Sequence, residues 1–427
     1  MEAQTTTERK PTLKERLTTL TAALHHRNYR LYFTGLLFSI TGFQMLLVIQ
    51  GWLIWDITGD PKGLAFLGLV TATPTILLNL YGGVIADRFD QRLLILLVST
   101  TIGVLLAVMG LLVALDVAAY WNILLLSFLI AGAQAFDNPA RQALYPHLIA
   151  RKDLMNAVAL NSIVWQGTRV VGPLIAGALI ASVGSAPALF LASIGFAFMV
   201  VAMSMIRVPP IPRAAHGSMV QNLIEGIGYV VRNQIFAVLI GLTFLNSFFG
   251  MSFIILMPIF ATDILEVGPE GLGQMHAVAG VGAIVMALVA AAMSKSRNKG
   301  LWLVSGAVAF GATVVVFAVS TSYPLSLAAL FVGGAASTFY MVMVQTSLQA
   351  LVPDHLRGRV FSIYSLTWSL LPLGGLQAGL VADWVSPQFA VALGGGVVAV
   401  VAVSVLLLHQ VRIVGITTQQ ALDRASA

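Results

Sequence analysis

No cysteine occurs in the 427 residues, and charge is scarce: Lys, Arg, Asp and Glu together make up 9% of the chain. The missing thiols exclude disulfides, thiolate metal sites and a cysteine nucleophile, while leaving the compartment open. A soluble domain carries about a quarter charged residues, so a content this low argues against a water-facing surface. Also missing are a Gly-x-x-x-x-Gly-Lys-Ser/Thr phosphate loop, a His/Asp/Glu metal cluster and a Gly-x-Ser-x-Gly nucleophile turn. Nothing therefore supports an enzyme, and no cofactor or metal is expected. The first 28 residues are polar and lack the apolar stretch and small-residue cleavage site of a secretory leader. The first apolar run is expected to act as an uncleaved insertion signal.

What the chain has in excess is hydrophobic sequence, 58% of all residues. It falls into twelve runs, near 30–56, 63–86, 93–115, 120–144, 155–183, 186–206, 235–262, 271–293, 301–320, 324–352, 360–383 and 388–408. Most match or exceed the roughly 20 residues a helix needs to cross a bilayer core. Of the 23 Lys and Arg, all but Lys62, Arg169 and Arg141, the last at the even-loop end of the fourth run, lie in or at the edge of the N-terminal arm, the even-numbered loops or the tail. Cytoplasmic loops carry the positive excess, so both termini are expected in the cytoplasm. Acids lean the other way, with Asp56, Asp60, Asp116, Asp263, Glu266, Glu270 and Asp383 in or beside the opposite loops. The net charge of +6 is spread over topogenic loops, with no basic helix or patch, which argues against nucleic acid. The fold class is therefore all-α and integral to the cell (inner or plasma) membrane, with twelve transmembrane helices.

The longest internal polar stretch, Arg207 to Gln234, divides the chain six runs plus six. It opens with Pro209, Pro210 and Pro212 and continues with apolar residues near helical spacing, read as a linker plus a cytoplasmic surface helix. The expected segments are an arm at 1–28, a six-helix bundle at 29–206, the linker at 207–234, a second bundle at 235–408 and a tail at 409–427. The halves repeat. Gln142-Ala-Leu-Tyr-Pro146 returns 207 residues later as Gln349-Ala-Leu-Val-Pro353, and Gly172-Pro-Leu-Ile-Ala-Gly177 returns 202 residues later as Gly374-Gly-Leu-Gln-Ala-Gly379. An even number of spans gives both copies the same orientation. Such parallel repeats suit a transporter whose halves rock about a midplane site.

After the second run comes Gly82-Gly-Val-Ile-Ala-Asp-Arg-Phe-Asp-Gln-Arg92, which resembles the signature loop of the major facilitator superfamily. Gly83 and its neighbour let the helix approach another closely. Asp87 can cap the next helix or pair with an arginine, and Arg88 and Arg92 hold the loop in the cytoplasm. Asp90 and Gln91 stand where the family has Gly and a basic residue. Asn28-Tyr-Arg-Leu-Tyr-Phe, Leu53-Ile-Trp-Asp-Ile-Thr-Gly, Asp137-Asn-Pro-Ala-Arg-Gln-Ala and Leu351-Val-Pro-Asp-His-Leu-Arg-Gly-Arg-Val resemble the drug/proton antiporter branch that contains enterobactin and macrolide exporters. Gly172, Pro173 and Gly177 are similar to the antiporter motif of that branch, with Thr168 and Ala176 at two positions usually occupied by Gly. Phe43 follows Gly42 where many relatives carry an acid.

Charges inside the membrane are costly and mark candidate functional sites. Gln134, Asp137 and Arg141 share one face of the fourth run, and Arg169 falls near the midplane of the fifth with Trp165 one turn before it. Asp137 is the candidate proton carrier, with Arg169 or Arg141 as its charge partner. The alternative is a permanent cytoplasmic latch of Asp137, Arg141 and Asp87. Family resemblance implies that helices one, four, seven and ten line a central cavity. On this chain that face offers Gln44, Gln134, Asn246, Phe249, Tyr340, Gln345 and Gln349, while His276, Met341 and Met343 read as packing. Uncharged hydrogen-bonders and aromatics suit an amphipathic small molecule. The expected function is export of such molecules in exchange for protons by a monomer, since the pathway lies within one chain. The alternative is a lysophospholipid-type lipid carrier or an uncoupled facilitator of the same fold.

Overall fold

The computed structural model describes residues 22–207, 219–292 and 299–407, with the backbone alone in 79–88, 219–224, 291, 292, 299, 354 and 355. The arm to residue 21, linker residues 208–218 and the tail from 408 lie outside the described residues. A bilayer offers the backbone no hydrogen-bond partner, so each apolar run satisfies its own N–H and C=O groups as a helix. The helices fall where the runs do: α1 Arg27–Thr58, α2 Pro61–Arg88, α3 Gln91–Ala114, α4 Tyr120–Leu144, α5 Leu154–Val183 and α6 Ser185–Met205. They continue with α7 from Gln234 to Ile264, α8 Gly268–Ala292, α9 Lys299–Val319, α10 Tyr323–Leu351, α11 from Asp354 to Trp384 and α12 Pro387–Leu407. The described residues contain no strand.

Among the described residues, eleven helices are long and apolar enough to cross a membrane. The remaining one, α11, breaks at Leu370 into Asp354–Ser369 and Leu371–Trp384, of 16 and 14 residues. Pro372 explains the break, because its ring removes a donor and clashes with the carbonyl one turn earlier. α7 departs differently. Two π turns, Asn246–Gly250 and Phe260–Ile264, flank a segment containing Pro258, and each wider turn rotates the face that follows it. Local signals set several ends: Asp90 Oδ1 accepts from the Leu93 N–H at 3.1 Å and caps α3, while Gly59 closes α1 at φ 57°.

The packing repeats after six helices. α2 packs on α4, α3 on α4, and α3 on α6, just as α8 packs on α10, α9 on α10, and α9 on α12. Two further pairings, α5 with α8 and α2 with α11, join the sets and are exchanged by the same shift of six. Buried apolar side chains form three clusters. One unites both sets, from Met45 in α1 to Phe317 in α9. The others stay within a set, around Tyr29, Tyr32 and Met199 in the first and Phe236, Tyr340 and Val360 in the second. The linker helix Met219–Arg232 docks on α11 through Arg359 Nη1 and Glu225 Oε2, 2.5 Å apart, and Val230 joins the second set's own cluster.

Within the first set, α1 and α6 approach through glycine. A Cβ on Gly195 would lie 2.5 Å from the Phe38 carbonyl oxygen, and one on Gly42 would lie 2.5 Å from that of Ala192. Gly195→Val should therefore force the helices apart and cost about 1–3 kcal/mol by overpacking. Thermal unfolding of the detergent-purified protein checks this: an unchanged midpoint would show that the seam tolerates a side chain.

Candidate functional site

A cavity of about 950 Å³ occupies the centre of the molecule. Its wall is mostly apolar and aromatic, with Phe43, Trp165, Phe253, Phe310 and Trp368, and it is punctuated by Gln44, Gln134, Asn138 and Gln345. The lining comes from α5, α8 and α11 as well as from α1, α4, α7 and α10.

One end of the cavity is closed where α2 meets α11 and α5 meets α8. A Cβ on Gly177 would lie 2.6 Å from the Pro269 carbonyl oxygen and 3.0 Å from Gly273 Cα, and one on Gly379 would lie 2.6 Å from Ala65 Cβ. The same end carries a hydrogen bond from Trp55 Nε1 to Thr262 Oγ1 at 2.8 Å and an ion pair between Lys62 Nζ and Asp383 Oδ1 at 3.1 Å. At the end bearing the Lys- and Arg-rich loops, the described buried apolar residues fall into two clusters, one within each set.

Asp137 and Arg141 lie away from the cavity. They are buried, at 1% and 3% exposure, and form an i,i+4 ion pair with Arg141 Nε 2.6 Å from Asp137 Oδ2. The charge partner of Asp137 is thus Arg141. Tyr32 of α1 reaches both groups. Tyr32 lies within side-chain hydrogen-bonding reach of Arg141, while Asp137 Oδ1 completes no hydrogen bond among the described residues. Arg169 points instead into the cavity, and among the described residues it has neither an ion pair nor a hydrogen bond.

Other expected site residues separate into groups. Gln44, Gln134, Trp165 and Gln345 line the cavity. Asn246, Phe249, Tyr340 and Gln349 do not. Asn246 is buried in the first π turn of α7 with both amide atoms unpaired. Phe249 packs edge-on to Phe248 with ring centroids 5.0 Å apart. Tyr340 Oη lies 3.3 Å from Thr243 Oγ1 between α7 and α10, and Gln349 is exposed. The π turns alter the face that α7 presents, which an even helical spacing does not anticipate. Gly172, Pro173 and Gly177 act in packing: a Cβ on Gly172 would lie 2.6 Å from Gln44 Cβ, and Gly273 sits under the Pro173 carbonyl. Gly83, Asp87 and Arg88 lie outside the described side chains. Arg92 donates from Nε to the Met203 carbonyl at 2.6 Å and from Nη2 to the Ser204 carbonyl at 3.1 Å, at the end of α6. His276, read from sequence as packing, lines the cavity; a single polar residue in an apolar run carried no signal of which way it faces.

Two six-helix sets around a central cavity, sealed at one end by glycine contacts, define a transporter of the major facilitator fold. Solved structures agree: a bacterial homolog of the human lysosomal transporter Spinster, inward-facing and unoccupied, has a TM-score of 0.69 at 15% identity, covering 95% of this chain and 98% of that one. The nucleoside transporter NupG gives 0.68 at 15% identity, covering 91% and 98%. Residues 18–426 match the family described as transmembrane secretion effector, and the chain belongs to that family of the major facilitator superfamily, a multi-pass protein of the cell inner membrane. The multidrug efflux pump Tap of Mycolicibacterium fortuitum is 25% identical over 362 residues, 80% of this chain and 86% of Tap. The staphyloferrin A transporter of Staphylococcus aureus is 26% identical over 360 residues, 80% and 88%. The enterobactin exporter EntS of Shigella boydii is 25% identical over 287 residues, 66% and 68%.

Removing one member of a buried ion pair strands the other, at about 3–5 kcal/mol, whereas removing both costs much less. Asp137→Asn alone should therefore lower the thermal midpoint more than the double variant Asp137→Asn/Arg141→Gln. A double variant whose loss equals the sum of those of Asp137→Asn and Arg141→Gln would show that the two groups are not energetically coupled.

Proposed function

We propose that this chain is a secondary exporter of amphipathic small molecules, moved by alternating access in exchange for protons. The observation that carries the reading is the central cavity, large enough for a drug-sized solute, walled by aromatics with scattered amides and closed by glycine contacts at one end. The positive-inside rule assigns the basic end to the cytoplasm, with both termini, so the cavity is in its inward-open form. The bundles at 29–206 and 235–408 are the rocking units, with Gly83, Asp87, Arg88 and Arg92 as the cytoplasmic gate. The efflux and export activities in the names of the relatives support the outward direction. Without a phosphate loop in the sequence, the energy comes from an ion gradient, and one chain suffices as a monomer.

Asp137 is the proton carrier in this reading. A proton on Asp137 cancels its attraction for Arg141 and releases the contact with Tyr32, which loosens α4 from α1 and biases the rocking of the first bundle. The unpaired Asp137 Oδ1 supports a switching role, because a permanent buried ion pair needs its remaining acceptors satisfied to repay desolvation. Inverted membrane vesicles loaded with a panel of lipophilic dyes test this. Dye movement should follow an imposed pH gradient and lose that dependence in both Asp137→Asn and the double variant with Arg141→Gln. Gradient-dependent movement that survives in the double variant would make the pair a latch. Movement indifferent to pH in the parent protein would favour an uncoupled or lipid carrier.

Alternating access makes a second demand. Cysteines placed at Lys62 and Asp383, unique in a chain with no cysteine of its own, should abolish transport when bridged by a short bifunctional maleimide. Full turnover of the bridged protein would show that this end need not open.

A further inference from the structure

We propose that the cavity takes an anionic amphipath, with Arg169 anchoring its carboxylate, sulfonate or phosphate group and His276 donating beside it. The inference rests on reading the cavity as the transport site, and adds the charge of what enters it. Among the described residues, no Asp, Glu or Lys lines the cavity, and Arg169 is its one arginine. Arg141 is neutralised by Asp137 and Lys62 by Asp383, whereas Arg169 has no such partner among the described residues. Arg169 is exposed to the chamber, so water hydrates it while the chamber is open. A neutral or cationic solute that displaces this water would leave the guanidinium uncompensated within the membrane, which is expensive. An anion cancels the cost through paired, charge-assisted hydrogen bonds, for which the guanidinium fork is shaped.

The backbone explains why these two side chains meet. Gly280 of α8 sits against α5, where a Cβ would lie 3.2 Å from the Arg169 carbonyl oxygen. His276 is one turn earlier on the same face of α8, lines the cavity, and lies within electrostatic reach of Arg169. A neutral imidazole offers one N–H to an anion already held by the guanidinium. Trp165, one turn from Arg169, and Phe43 and Trp368 supply the apolar wall for the rest of the solute. Head and body of an anionic amphipath are therefore both matched within one chamber.

The test uses the full-length protein in nanodiscs, with signal from empty nanodiscs subtracted, and three fluorescent ligands sharing one body: dansylamino-undecanoic acid, its methyl ester and the corresponding amine. The acid should bind about tenfold more tightly than the ester, the size of one charge-assisted contact, and the amine more weakly still. Arg169→Gln should bring the acid down to the level of the ester. Arg169→Lys should retain part of the preference, which also shows that a change at this position leaves a folded cavity. His276→Gln should reduce the preference by a smaller factor. An acid no tighter than the ester in the parent protein, or a preference undiminished in Arg169→Gln, overturns the proposal. If the preference depends on Arg169 while inverted vesicles move no dye, the anion site stands and the exporter reading falls. If vesicles move neutral dyes while the acid gains nothing from Arg169, the exporter reading stands and the anion site falls.

Discussion

Backbone meets backbone at two seams, Gly177 with Gly273 between α5 and α8, and Gly379 with Ala65 between α11 and α2. Lipid tails are as apolar as leucine, so helices in a bilayer gain little by burying apolar area and associate through close contact instead. A glycine seam provides that contact and nothing bulkier fits. Both seams sit at the same end of the molecule, reinforced by Trp55 with Thr262 and Lys62 with Asp383. The chamber consequently has one sealed end, and its side walls come from helices of both sets.

Charge is distributed according to the same geometry. Asp137 and Arg141 belong to one helix and neutralise one another inside the first set, against Tyr32. Arg169 belongs to a seam helix and faces the chamber, where His276 of the other seam helix joins it. One arginine thus stays within the packing of a bundle while the other is offered to whatever occupies the space between bundles. Both are about equally isolated by sequence in apolar runs. Their difference in role arises from which helix surfaces touch.

Several motifs that resemble those of the family acquire local physical reasons here. In Asn28-Tyr-Arg-Leu-Tyr, the Asn28 side chain donates to the Arg207 carbonyl at 3.0 Å, Tyr29 Oη donates to the Ala157 carbonyl at 3.0 Å, and Tyr32 reaches the ion pair. That segment ties α1 to α5 and to the end of α6. Asp90, which departs from the usual loop pattern, caps α3. Gly172 lets Gln44 of α1 lie against α5, which places an amide in the chamber wall.

The amino-acid sequence by itself determined where the helices run, because twenty-odd apolar residues in lipid have one way to satisfy their backbone. It suggested the pairing of halves, through repeated motifs at nearly constant offsets, and it pointed to Gln44, Gln134, Trp165 and Gln345 as cavity residues and to Arg169 as a charge partner of Asp137, since polar groups in apolar runs stand out. Only the tertiary structure decided that Asn246, Phe249, Tyr340 and Gln349 face elsewhere, that α11 breaks at Leu370, and that His276 stands beside Arg169. Helical spacing predicts a face only while the helix stays regular, and the π turns of α7 and Pro372 in α11 end that regularity. Which faces meet across the seams is set by contacts between residues more than a hundred positions apart, such as Arg169 with Gly280, and no local pattern encodes that distance.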